Sequence, residues 1–157
     1  MPVETVSLFF ALLFVGAMVI NVVALVLGLF RLVTGDLPPS VRRLLDEIRP
    51  IALVMAFLAA TTAMLGSLYY SEIAGFNPCR FCWYQRYLMY PSSIVLGLAL
   101  VLRKPKLAWI AFGLSFVGLG VSTYHRVEQQ WPSAFASSCD PLNPCTGRYV
   151  DTWGFVT

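Results

Sequence analysis

Long stretches without a charged residue constrain this chain more than any other feature. No Asp, Glu, Lys or Arg lies at positions 5–30, 50–71, 87–102 or 107–124. A transmembrane helix needs about 20 mainly apolar residues, within a range of about 17–25. We therefore predict four membrane helices, at about 6–30, 51–70, 82–102 and 107–125. The third stretch is short, and its helix fits if it begins near Cys82 with Arg86 at the headgroups.

The composition agrees with a membrane protein. Hydrophobic residues make up 58% of the chain and charged residues 12%, whereas soluble domains carry about 25% charged residues. The first apolar stretch is too long for a signal peptide and has no basic residue before it. We expect an all-α integral membrane protein in which residues 1–157 form a single membrane domain. That domain would be a four-transmembrane-helix bundle followed by a tail at 126–157.

The basic residues predict the orientation of the bundle. Seven of the eleven Lys and Arg residues lie in the segments 31–50 and 103–106, and cytoplasmic loops are the ones enriched in these residues. The N-terminus, the loop at 71–81 and the tail then lie outside the cytoplasm. Segment 41–48 reads as a short amphipathic helix on the cytoplasmic surface. The net charge of +3 reflects this orientation, and we predict membrane lipid, not nucleic acid, as the surroundings.

The four cysteines all fall on the non-cytoplasmic side of this topology, where disulfides persist. Cys79 and Cys82 form a C-x-x-C at the entrance to the third helix, whereas Cys139 and Cys145 flank a loop that contains two prolines. Helix N-termini and nearby cations favour the reactive thiolate form of cysteine. Arg86, four residues after Cys82, shares its helix face. The same guanidinium could stabilise a reduced, anionic quinone, so the pattern indicates electron transfer from a dithiol to a lipid-soluble acceptor.

Simpler interpretations of these residues exist. The C-x-x-C could be a structural disulfide or half of a zinc site, but the second pair lacks the usual spacing of a zinc site, and we predict no metal. Arg86 could be an interfacial anchor only. Its spacing from Cys82 favours the functional interpretation.

Several segments resemble the DsbB family of disulfide-forming membrane oxidases, and most of all its BdbC-type branch. The most specific is P-C-x-x-C-W-Y-Q-R-x-x-M-Y-P, which ends at Pro91, and the resemblance extends over about two thirds of the chain from about residue 51. The other segments that carry it are 64–73, 124–129, 139–147 and 153–157.

The resemblance implies a role for each matching position. Cys79 and Cys82 would form the quinone-coupled pair, with Cys82 nearest the quinone (menaquinone or ubiquinone), and Arg86 would support that cofactor. Cys139 and Cys145 would form the shuttle pair that meets an extracytoplasmic thioredoxin-like, DsbA-type partner. His125 would lie near the quinone pocket, although a lone His at a helix end is more often an interfacial hydrogen-bonder.

The order of the helices departs from the family pattern. In the family a last membrane helix follows the loop with the second cysteine pair, whereas here the sequence reaches Thr157 and an additional helix, 6–30, stands at the N-terminus. That helix would run in the direction of the last one. We therefore expect a circularly permuted bundle; an unrelated added helix on a truncated bundle is the alternative.

The function we expect is a thiol:quinone oxidoreductase in a bacterial plasma membrane. It would reoxidise its DsbA-type partner and pass the electrons to a quinone. One alternative is an enzyme similar to vitamin K epoxide reductase, but that family places its loop cysteines before the C-x-x-C helix. The other is a non-enzymatic membrane scaffold with structural disulfides, which leaves the spacing of Cys82 and Arg86 unexplained.

Overall fold

The computed structural model describes residues 3–132, 144–147 and 150, in which the regular elements are helices and no strand occurs. A π-helical turn, Tyr69–Ile73, extends the third helix, and a short 3-10 turn, Pro105–Leu107, precedes the fifth. The all-α prediction is therefore confirmed for the described part of the chain. The α-helices there are α1 (Val3–Thr34), α2 (Pro39–Ile48), α3 (Ala52–Leu68), α4 (Arg80–Val101) and α5 (Ala108–Gln130).

Three helical segments in the described ranges are long and apolar enough to cross a membrane. They are Val3–Thr34, Ala52–Ile73 and Pro105–Gln130, which correspond to the first, second and fourth predicted spans. The third predicted span, 82–102, coincides with α4, but Trp, Tyr, Gln and Ser side chains lower the hydropathy of that helix. The crossing of the membrane by α4, and with it the four-helix count, stays a prediction.

The chain divides into two compact units, with α1 and α2 in the first and α3, α4 and α5 in the second. In the first unit, α1 ends at Thr34, and Gly35 follows with a φ of 80°. Glycine adopts this left-handed conformation without steric strain, so it suits the C-terminal end of a helix. Pro39 then occupies the first turn of α2, where its missing N–H has no consequence. The short helix predicted at 41–48 lies within α2.

In the second unit, α4 packs against both α3 and α5. Small and hydroxylated side chains let α3 and α4 approach closely, as is common between membrane helices. The hydroxyl groups of Thr61 and Ser93 are 3.0 Å apart, and a Cβ atom added at Gly97 would lie 3.0 Å from the Phe57 ring. This packing fixes which face of α4 meets each neighbour, and the candidate site lies at the end where α4 begins.

Candidate redox-active site

The C-x-x-C pair forms the start of α4. Cys79 precedes the helix as its N-cap, in an extended conformation, and its sulfur accepts a hydrogen bond from the backbone N–H of Cys82 at 3.2 Å. Cys79 is buried, Cys82 is half-buried, and both are free thiols. The unpaired N–H groups of a first helical turn favour negative charge, so this position favours a thiolate at Cys82.

The two sulfurs are not equivalent. A side-chain hydrogen bond to Cys82, followed by burial, raises the pKa of the Cys79 thiol to about 12, against a smaller opposing effect of His125. Cys79 therefore keeps its proton at neutral pH and donates to the sulfur of Cys82. The hydrogen bond favours Cys82 as the sulfur that carries negative charge, and the thiolate is the nucleophilic form of cysteine.

Arg86 lies one turn after Cys82 and acts electrostatically on it. Its side chain is buried and donates from Nε to Ser67 Oγ at 3.0 Å and from Nη2 to the Ser67 carbonyl oxygen at 2.9 Å. The guanidinium carbon also lies 5.2 Å from the centre of the Trp83 ring. These contacts attach the cation to α3 and fix it near the first turn of α4.

His125, near the end of α5, contacts both Cys79 and the backbone of Cys145. Its Nε2 atom lies 3.6 Å from Cys79 Sγ and 3.0 Å from the backbone oxygen of Cys145. On the other side of the ring, Nδ1 lies 3.3 Å from the Gln85 amide nitrogen. The Phe81 ring stacks on the imidazole with a centroid separation of 5.4 Å. The imidazole is thus held on several sides and is buried.

Cys145 is fully buried and disulfide-bonded. Its backbone carbonyl oxygen meets His125, so the structure brings Cys145 to the same end of the bundle as Cys79. Cys139, the other predicted member of the second pair, lies outside the described residues, as does most of the predicted tail at 126–157. The prediction that both pairs lie on the extracytoplasmic side stays a prediction.

Four residues of the site had no role in the sequence-based prediction. Ser67 binds Arg86, Phe81 stacks on His125, and Gln85 contacts the imidazole. Glu128 is buried one turn after His125. Gln85 follows Cys82 by three residues, and Glu128 follows His125 by three. Side chains at this spacing share a helix face, so the spacing was the sequence feature that could have identified both residues.

Comparison with known proteins matches residues 49–154 to the family model described as "Disulfide bond formation protein DsbB". The chain belongs to the DsbB family. The DsbB match covers about two thirds of the chain and includes all four cysteines, Arg86 and His125. It leaves α1 and α2 outside. Membership makes the chain a disulfide-forming oxidoreductase of a membrane family, which acts with a thiol–disulfide partner protein.

Curated relatives place the chain within the BdbC-type branch of the DsbB family. "Disulfide bond formation protein C" of Bacillus subtilis is 38% identical over 110 residues, which is 69% of this chain and 80% of the relative. "Probable disulfide formation protein C 1" of Bacillus anthracis is 44% identical over 114 residues, covering 71% and 81% of the two chains. "Probable disulfide formation protein C" of Halalkalibacterium halodurans is 42% identical over 104 residues, which is 65% of this chain and 75% of the relative. No solved structure matches the chain.

Proposed function

We propose that this protein is a thiol:quinone oxidoreductase of a bacterial plasma membrane, which reoxidises an extracytoplasmic thioredoxin-like, DsbA-type protein. The observation that carries the proposal is the position of His125, whose Nε2 contacts Cys79 Sγ at 3.6 Å and the Cys145 carbonyl oxygen at 3.0 Å. A single imidazole thus lies between Cys79 and the backbone of Cys145, which supports exchange between the two proposed pairs. Arg86, on the α3 side of the C-x-x-C, supplies the cation near Cys82.

The first part of the reaction transfers electrons from the partner to the second cysteine pair. A thiolate of the reduced partner attacks the sulfur of Cys139, and Cys145 leaves as a thiolate. The second thiol of the partner then attacks the mixed disulfide and releases Cys139. The partner is thereby oxidised, and Cys139 and Cys145 together gain two electrons and two protons.

The second part passes those electrons to the C-x-x-C. The reduced second pair exchanges with the Cys79–Cys82 disulfide, so that it becomes oxidised again and Cys79 and Cys82 become a dithiol. Cys82, favoured as the thiolate by its hydrogen bond with Cys79, is the sulfur that donates electrons onward. Cys79 then loses its proton and closes the disulfide with Cys82.

The residues near Cys82 fit a quinone, which when bound supplies a two-electron, two-proton acceptor. Ser67 takes only part of the N–H groups of Arg86, and the remainder can donate to a carbonyl oxygen. Tyr90, one turn after Arg86 on α4, has a buried hydroxyl group with no hydrogen-bond partner among the described residues. Two donors on one helix face suit an acceptor with two carbonyl oxygens. We propose that Arg86 holds the quinone, menaquinone or ubiquinone, and that His125 lies at the edge of its site.

The proposal is tested with purified protein, a soluble quinone and a reduced thioredoxin-fold protein, by following quinone absorbance. We expect quinone reduction that depends on the partner and that Cys82→Ser abolishes. Ser92→Ala is the matched control, because Ser92 is a small buried residue further along the same helix and the change should leave turnover intact. Normal turnover in Cys82→Ser would refute the proposal, and disulfides that never exchange would favour the scaffold alternative. The family match favours this reaction over that of a vitamin K epoxide reductase-like enzyme.

A further inference from the structure

Glu128 is a buried acid that the reaction described above does not use. Its side chain is 2% exposed, and its Oε2 atom has no hydrogen-bond partner within the described ranges. A carboxylate buried without a partner is unfavourable unless a positive charge lies near it. The position of Glu128 near the end of α5, beside the candidate redox site, suggests where that charge arises.

Arg126, on the same helix, carries a permanent positive charge and has contacts of its own, whereas His125 is the neighbour of Glu128 that can gain a positive charge. The two residues are three apart on α5, so their side chains share one helix face, and Glu128 acts electrostatically on the imidazole. Among the residues that the structure describes, Cys79, in front of α4, also acts electrostatically on the ring, and the loop at 144–147 presents the Cys145 carbonyl oxygen to it. A carbonyl oxygen only accepts hydrogen bonds, so its 3.0 Å contact stabilises the imidazolium that forms when Nε2 gains a hydrogen.

Cys79 needs a base during the reaction. Because the hydrogen bond to Cys82 and burial raise the pKa of Cys79, its thiol does not ionise unaided at neutral pH. The disulfide with Cys82 closes only after that proton has left. The ring nitrogen nearest to the sulfur is Nε2 of His125, at 3.6 Å.

We propose that Glu128 is a positioning residue for proton transfer: its carboxylate stabilises the imidazolium form of His125, which takes the proton of Cys79 and later returns it. This inference rests on the proposed function and adds a residue to it. Before the transfer the neutral ring carries its hydrogen on Nδ1 and a lone pair on Nε2. The S–H bond of Cys79 breaks, and the proton moves to this lone pair of Nε2. The resulting cation donates from Nε2 to the Cys145 carbonyl oxygen. Its hydrogen on Nδ1 faces the Gln85 side-chain amide, which accepts it when the amide is turned over so that its oxygen and nitrogen exchange places. The thiolate and the imidazolium balance one another, and Glu128 is the counter-charge that favours the cation.

The test measures the proton affinity of Cys79 directly. In a Cys82→Ala background, with Cys139 and Cys145 kept oxidised, Cys79 is the one thiol that iodoacetamide can alkylate. The alkylation rate is followed against pH in detergent. Glu128→Gln, which keeps the size and removes the charge, should move the midpoint of the pH–rate curve upward by about one pH unit. Alkylation at neutral pH should slow about three- to fourfold, because the thiolate fraction falls about tenfold while each thiolate becomes about 2.5–3-fold more nucleophilic.

Two comparisons separate this role from a structural one. Glu72→Gln removes an exposed carboxylate outside the site and should leave the midpoint unchanged. Glu128→Asp keeps the negative charge, so its midpoint should lie close to that of the protein with Glu128. In a His125→Ala background, Glu128→Gln should have no further effect, because Glu128 acts through the imidazole. The proposal is overturned if Glu128→Gln leaves the midpoint in place, if Glu128→Asp shifts it equally, or if the shift persists without His125.

The alkylation experiment requires neither quinone nor partner protein, so it is independent of oxidase turnover. A protein that fails to reduce quinone but shows the shift of midpoint would refute the proposed function and retain the role of Glu128. A protein that reduces quinone normally but shows no shift of the midpoint would support the proposed function and refute the role of Glu128.

Discussion

The inequality of the two C-x-x-C sulfurs makes a quantitative prediction about Cys79. The pKa of Cys79 is raised to about 12, and the largest cause is the hydrogen bond with Cys82. At about pH 8 such a thiol is ionised in about 1 molecule in 10,000, so it should react slowly with thiol reagents. Replacing Cys82 by Ala removes the hydrogen bond and should therefore make Cys79 more reactive, although a cysteine has been removed beside it.

The size of the gain follows from two opposing effects. A fall in the pKa of Cys79 from about 12 to about 9 raises the thiolate fraction about 1000-fold at about pH 8, and a Brønsted slope of about 0.4–0.5 lowers thiolate nucleophilicity by about 16–32-fold. The net acceleration is about 30–60-fold. Burial of Cys79 persists in the variant and opposes ionisation, so we expect a gain between about tenfold and this value.

The assay is alkylation of the reduced protein, with the reagent below stoichiometry so that single modifications dominate. Arg80 lies between the two cysteines, so trypsin separates them and mass spectrometry assigns each modification. The rate at Cys79 should rise with pH throughout the accessible range when Cys82 is present, and should level off at lower pH in Cys82→Ala. Cys82→Ser, which keeps a hydrogen-bonding group, should give an intermediate rate. An unchanged or slower rate at Cys79 in Cys82→Ala would show that Cys82 does not hold the proton on its neighbour.

Two further predictions concern the packing that positions the site. Ser67→Ala removes the hydrogen bond to Arg86 Nε but keeps the one to the backbone oxygen, so it should lower the free energy of unfolding by about 1–3 kcal/mol; an unchanged melting temperature in detergent would contradict this. Gly97→Leu places a side chain where a Cβ atom alone would lie 3.0 Å from the Phe57 ring and should destabilise the α3–α4 contact by about 1–3 kcal/mol. Gly97→Ala is its milder control, and equal melting temperatures for wild type and Gly97→Leu would show that the helices can separate freely at this point.

Local spacing in the sequence predicted the parts of the site that depend on one helix. Cys82 and Arg86 lie four residues apart, and any helix that contains both places them on one face, as α4 does. The start of α4 was predicted at Cys82, whereas the structure begins the helix at Arg80 with Cys79 as N-cap. A sulfur cap accounts for the difference, because Cys is not among the usual capping residues that mark a helix start in a sequence.

Contacts between helices were not predictable in the same way. The bonds from Arg86 to Ser67 and from His125 to the Cys145 carbonyl oxygen depend on how α4 is rotated relative to α3 and α5, which residue periodicity alone does not determine. His125 was expected near the quinone, and the structure reveals contacts with Cys79 and Cys145 that the sequence did not suggest. Its role toward the quinone stays a prediction, as does the circular permutation of the chain.

The packing of α4 between α3 and α5 gives the C-x-x-C two chemically different sides. On the α5 side, Cys79 meets His125 and, through it, the carbonyl oxygen of Cys145. On the α3 side, Arg86 is attached to Ser67 and acts on Cys82. A thiol that retains its proton is poorly suited to donate electrons, whereas a thiolate beside a cation is well suited to do so. In the proposed reaction, electrons that arrive from the second pair on the α5 side would therefore leave from Cys82 on the α3 side. The hydrogen bond that makes the two sulfurs unequal would then also set the direction of transfer.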